Sequence, residues 1–162
     1  MLKDMPSYLT YLNRVRERTL LALDRIPADQ LAWTPRAGEF TLGDIARHFG
    51  ASEQMFVDAA LGAGWHYPGH RAEIWGVTLD DIRAKLERTH TDALARLRSA
   101  GDAALNAKQP DLKGNPISAW RMLMLLIEHE IHHRSQLDTY LMLLGVEPPQ
   151  VFGVKMEALP QD

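Results

Sequence analysis

Residues 122–145 read MLMLLIEHEIHHRSQLDTYLMLLG, a run with no glycine or proline until Gly145. Placed on a helix at about 100° per residue, His129 and His133 fall in one sector with Met122, Leu126, Gln136, Tyr140 and Leu144. His132 turns away, toward Glu128, Ser135 and Thr139. An apolar stripe of this kind must be covered, so the helix is expected to point its histidine pair into a bundle of other helices.

Upstream, Asn115 and Pro116 supply a capping side chain followed by a proline suited to the first helical position, which predicts that this helix begins there. Downstream, Gly145 ends it and Pro148-Pro149 prevents its resumption, leaving a short tail around Phe152. Three more helices are legible. The first runs from about Pro6 to Ile26, with Leu9, Leu12, Leu20, Leu23 and Ile26 as its apolar stripe and Pro27 closing it. In FTLGD, residues 40–44, Thr41 caps a second helix, Asp44 stands where a capping box wants a carboxylate, and Phe40 can staple onto Ile45; this helix runs to about Leu61. The same grammar recurs in VTLDDI, residues 77–82, where Thr78 caps, Asp81 answers and Val77 can pack on Ile82; Gly101 is its natural end. Between them, GAGWHYPGHRAEIWG (62–76) mixes glycine and proline with Trp65, Tyr67 and Trp75, which reads as an ordered loop and a candidate lid. Four long helices without a convincing alternating strand predict an all-α four-helix bundle, with residues 1–162 as one domain.

The bulk chemistry narrows the function. With 46% hydrophobic and 24% charged residues the chain can rest on its own core. A net charge of −3 provides no global basic field, so no nucleic-acid partner is expected. No apolar run is long enough for a secretory signal or a membrane span, and a cytoplasmic location is the default expectation. The absence of cysteine excludes disulfides, thiolate ligands and a protein thiol nucleophile, so any metal must bind nitrogen or oxygen.

Imidazoles four residues apart on a helix stand roughly 5–6 Å apart at Cβ and can chelate one ion through nitrogen–metal bonds of about 2.0–2.1 Å. The alternative is a pair of core histidines satisfied by hydrogen bonds, which is harder to arrange for two neutral bases side by side on an apolar face. His129-Glu130-Ile131-His132-His133 also spells the HExxH pattern of zinc proteases, in which the glutamate activates a water. The extended form of that pattern wants glycine at Gln136 and histidine at Thr139, and no strand is available to hold an extended peptide. Glu130 is then either a residue that orients a ligand or water, or a solvated charge. A third ligand is needed from elsewhere. His48 is the candidate, lying in the second turn of its helix beside Ile45, Phe49 and Phe56, with a packed core histidine as the alternative. His66 and His70, in the loop, and His90, amid Arg88, Thr91 and Asp92, are weaker candidates.

Three segments, LAWTPRAGEFTLGDIARHF, HEIHHRSQL and LLGVEPPQVFG, together resemble the DinB-like (YfiT-like) metal-binding bundle proteins, over essentially the whole chain. The resemblance implies a bundle with a long crossover connection and frequent homodimers. It carries the family's metal histidines onto His48, His129 and His133. Ser135 departs from the glycine of many relatives but faces away from the pair. Characterised relatives include thiol S-transferases that use low-molecular-weight thiols and a thiol-dependent maleylpyruvate isomerase.

The expected cofactor is a divalent ion, zinc or nickel, on three neutral imidazoles that leave coordination positions open. The expected reaction is thiol transfer or hydrolysis on a small molecule, with an external thiol cosubstrate because the chain has none of its own. Gln136, Tyr140 and Trp65 are candidate substrate contacts, each with simple packing or loop anchoring as its alternative. A non-catalytic metal-binding stress-response protein is the second reading.

Overall fold

Each long helix begins at a side-chain cap. In the computed structural model, which describes residues 4–154 together with 158 and 160, the Asp4 carboxylate accepts from Ser7 N–H at 2.8 Å and starts α1 (Met5–Leu23). Thr41 and Asp44 form the capping box of α2 (Leu42–Ala60), and Thr78 and Asp81 form that of α4 (Leu79–Leu105). A short α3 (Ala72–Trp75) lies in the loop between them. α5 spans Ala119–Leu143 and ends at Gly145, whose φ of 76° lets Val146 N–H reach back to Leu141 O at 2.9 Å. Glycine also breaks α4 as expected at Gly101 (φ 67°, ψ −172°), although a last turn resumes beyond it.

Two expectations need correction. Asn115 and Pro116 do not start α5. Instead β1 (Lys108–Pro110) pairs antiparallel with β2 (Pro116–Ser118), and Ser118 caps the helix. The Asp111 carboxylate accepts from Lys113 N–H and Asn115 N–H, both at 2.8 Å, and so builds a tight turn out of the residues expected to cap. The two prolines face each other at the hairpin mouth, where neither has to donate. Val77 also fails to staple Ile82: it is 67% exposed, while Ile82 is buried.

The packing order is that of a crossover bundle. α1 and α2 each lie against both α4 and α5, while the consecutive helices α1 and α2 sit diagonally. Among the described residues the core forms two apolar clusters. One is built around Tyr8, Leu12, Val57, Leu97 and Met122, the other around Leu23, Ile45, Phe49, Leu86 and Leu137. Among the described residues, no helix is long and apolar enough to cross a membrane.

Candidate metal centre

α2 and α5 pack side by side, and their contact brings three histidines together. His48 projects from α2; His129 and His133, one turn apart on α5, meet it across the groove. Their ring centroids are 4.4–4.9 Å apart, and one ligand nitrogen from each ring lies within 4.8 Å of the others. His48 Nε2 and His129 Nε2 are separated by 3.2 Å. Two nitrogens bound at about 2.0–2.1 Å to one tetrahedral ion would stand about 3.3 Å apart. The opposite edges of two rings are anchored: His48 Nδ1 is 2.6 Å from Tyr67 Oη, and His133 Nδ1 is 2.9 Å from Gln136 Oε1. Because an amide oxygen only accepts, the Gln136 contact calls for the His133 proton on Nδ1, the tautomer that leaves Nε2 free to ligate. The donor set therefore fits a divalent ion of borderline softness, and the three histidines could hold one.

Electrostatics favours the neutral, ligating form. Burial, reinforced by His133, His129 and His70, pushes His48 from the ordinary 6.5 to about 3. Burial and the neighbouring His133 and His132 bring His129 to about 4. His133 is also lowered by burial, less so because Gln136 accepts its N–H. Lone pairs are thus available throughout the neutral range. Tyr67 is pushed up to about 12, first by burial and then by Asp44, so its hydroxyl stays protonated; it also lies 2.7 Å from His70 Nδ1. Phe40 and Phe56 wall the site, 5.4 Å from the His48 ring and 5.5 Å from the His129 ring.

The histidine pair does not point into the bundle interior. Met122 and Leu126 of the same sector are buried, but His129, His133 and Gln136 are only half-buried at the edge of the α2–α5 groove. At this level the interior is occupied by Glu130 and Arg134 instead. Glu130 is neither a ligand-orienting group nor a solvated charge. It is 1% exposed, accepts from Arg16 Nη2 at 3.0 Å and from Thr19 Oγ1 at 2.7 Å, and so faces away from the centre, where a protease-type glutamate could not work. His90 lies apart from the triad, with Nδ1 2.6 Å from Glu53 Oε1. His66 and His132 are exposed, and His70 stands beside the triad, its ring 5.9 Å from that of His48 and its Nδ1 engaged with Tyr67.

The three residues put forward for substrate contact have their polar groups engaged. Gln136 holds His133 and donates to Tyr140 Oη at 3.3 Å; the Tyr140 ring packs edge-on against Trp33. Trp65 donates from Nε1 to Pro110 O at 2.8 Å and stacks edge-on to Phe56. Sequence reasoning missed Tyr67 as the partner of His48. Its place in the glycine-rich loop with His70 was the available signal. Trp75 anchors that loop, buried beside Gly50 and donating to Gly69 O at 2.7 Å.

The profile of the DinB superfamily matches residues 11–137, most of the chain. The chain belongs to the DinB superfamily. Solved DinB structures agree in fold. A DinB-like protein of Bacillus cereus is 23% identical and superposes with a TM-score of 0.76 over 92% of this chain and 98% of its own. A DinB-like protein of Bacillus subtilis is 20% identical, TM-score 0.68, over 89% and 96%. A DinB-family candidate from Exiguobacterium sibiricum is 20% identical, TM-score 0.59, over 94% and 97%. No functionally curated protein matches the chain. For this DinB protein, likeness at such identities establishes the fold.

Proposed function

We propose that this DinB protein binds one divalent ion, zinc or nickel, through His48, His129 and His133, and uses it for thiol transfer or hydrolysis on a small molecule. The observation that carries the reading is the half-buried convergence of three neutral imidazoles at the rim of a groove, with their far edges held by Tyr67 and Gln136. Three protein ligands with one side open are the composition of a reactive site, whereas a structural ion is normally enclosed by four. Such an ion supplies a Lewis acid that favours the ionised form of a thiol or water brought beside it. The chain's own residues do the rest. Tyr67 and Gln136 fix ring orientation, Phe40 and Phe56 give the groove apolar walls, and the loop of Trp65 to Trp75 borders its entrance. A thiol has to come from solution, because the chain has no cysteine.

Most of the two apolar clusters lies away from the triad, which they meet through Phe40 and Phe56, and this favours the reactive reading over an ion whose task is to hold α2 to α5. A small-molecule substrate, a homodimer and a cytoplasmic setting belong to the same proposal. The test is a thiol-transfer assay with zinc- or nickel-loaded protein, cysteine or glutathione as the thiol and a chromogenic chloronitroarene as the electrophile. Turnover above the metal-free rate, lost in His133→Ala, supports the reading. Equal rates for loaded protein, stripped protein and variant oppose catalysis and favour the stress-response alternative.

A further inference from the structure

All four long helices interrupt their apolar stripes at one level. Arg16 and Thr19 on α1, Glu53 on α2, His90 on α4, and Glu130 and Arg134 on α5 are each no more than 8% exposed. Along every helix they separate members of one apolar cluster from members of the other. The triad lies at the same height on the groove side: His48 precedes Ser52 and Glu53 by about a turn, and His129 and His133 flank Glu130. One nitrogen links the two helices that carry it. Arg16 Nη2 donates to Glu53 Oε2 on α2 and to Glu130 Oε2 on α5, both at 3.0 Å. Glu53 Oε1 accepts from His90 Nδ1 at 2.6 Å, and His90 Nε2 lies 3.3 Å from Asn13 Oδ1.

Stability is a poor reason for such a layer. Buried ion pairs replaced by apolar residues of similar volume often leave a protein as stable or more so. Arg16 is also incompletely matched, since Nε and Nη1 meet no acceptor among the described residues. An apolar layer, however, tolerates sliding and rotation, whereas a donor shared by two carboxylates fixes how both helices are turned. Rotation matters here, because a slip of one residue turns a helix by about 100° and would carry His129 and His133 away from His48.

We propose that Arg16 is a positioning residue of the metal centre, which through Glu53 and Glu130 sets the register of α2 against α5 and hence the closeness of His48 to His129 and His133. The inference rests on the metal reading above. Its test is the full-length Arg16→Met/Glu130→Gln variant. This removes one positive and one negative charge, so the net charge near the triad is unchanged, and it leaves Glu53 with His90 and an acceptor for Thr19 while cutting the bridge. Zinc affinity by chelator competition, the visible absorption of the cobalt(II) form, and thermal unfolding are measured together. The variant should remain a folded helical bundle, with a lowered unfolding temperature because Glu53 loses Arg16, bind zinc at least about tenfold more weakly, and show an altered cobalt spectrum. Affinity within threefold and an unchanged spectrum would overturn the proposal. Arg16→Lys needs no compensating change and keeps one bridging nitrogen, so it provides an arm independent of whether the double variant folds. It should hold affinity within threefold, and a loss above tenfold at unchanged unfolding temperature would overturn the single-nitrogen bridge. If the unaltered protein binds no zinc or cobalt, the metal reading itself falls and this inference with it.

Discussion

Tyr67→Phe removes one oxygen and leaves the ring, which makes it the cleanest probe of how the loop supports the centre. The hydroxyl lies 2.6 Å from His48 Nδ1 and 2.7 Å from His70 Nδ1, so it both fixes the His48 ring and ties the loop to α2. Loss of a partner that orients a ligating histidine typically costs about 10–100-fold in metal affinity. Tyr67 is 42% exposed, so water can take up part of the lost hydrogen bond, and the effect belongs at the low end. The expectation is about a tenfold weaker zinc complex, equivalent to about 1.4 kcal/mol. Competition with a chromophoric chelator reads the affinity, and circular dichroism checks that the helices are intact. His70→Ala removes a ring that holds the Tyr67 hydroxyl at 2.7 Å but meets His48 itself edge-on at 5.9 Å between centroids, so it should weaken binding less than Tyr67→Phe does. An affinity within twofold for Tyr67→Phe would refute the supporting role, as would a larger loss for His70→Ala than for Tyr67→Phe.

Other expectations follow from the packing and the charges. Gly50→Ala would place a methyl 2.4 Å from Trp75 Cζ3 and 2.7 Å from Leu86 Cδ2. Overpacking of about 1–3 kcal/mol should exceed the helix-propensity gain of about 1 kcal/mol, so the melting temperature should fall by a few degrees, and a rise would contradict the close fit. Burial pushes the Glu53 carboxyl up, but Arg16 and the hydrogen bond from His90 more than reverse this and leave it below the ordinary 4.5. Because the folded value is the lower one, the linked stability is present above about pH 4.5 and is lost as pH falls through the folded value. Melting curves should therefore drop more steeply on acidification in the unaltered protein than in Glu53→Gln, and parallel profiles would contradict the assignment. Removing metal with a chelator should leave a folded helical bundle whose melting temperature falls only by the linkage expected for ligand loss. Collapse of the helical signal would favour a structural ion.

Much of the fold was legible because its signals are local. The Thr41/Asp44 and Thr78/Asp81 capping boxes satisfy backbone groups within one turn, and Gly145 ends α5 through its own backbone freedom. The histidine pair was legible for the same reason, since one helical turn fixes its spacing. What escaped depends on partners distant in the chain. Glu130 looks solvated until Arg16, 114 residues away, is folded against it, and Glu53 is explained by Arg16 and His90, each 37 residues from it. The wheel identified the apolar side of α5 but not the bundle axis. Burial of Glu130 and Arg134 turns that axis away from the histidines and leaves them on the groove edge. The Asn115-Pro116 signal was genuine capping chemistry claimed by a competing local partner, Asp111, which no helix rule anticipates.

Diffraction from crystals of the protein loaded with one equivalent of zinc, recorded on either side of the zinc absorption edge, addresses the metal centre most directly. A single anomalous peak bonded to His48, His129 and His133, absent from His133→Ala crystals prepared identically, is the expected result. A peak on other residues, or none between these three rings at full loading, would contradict the metal centre on which the functional reading depends.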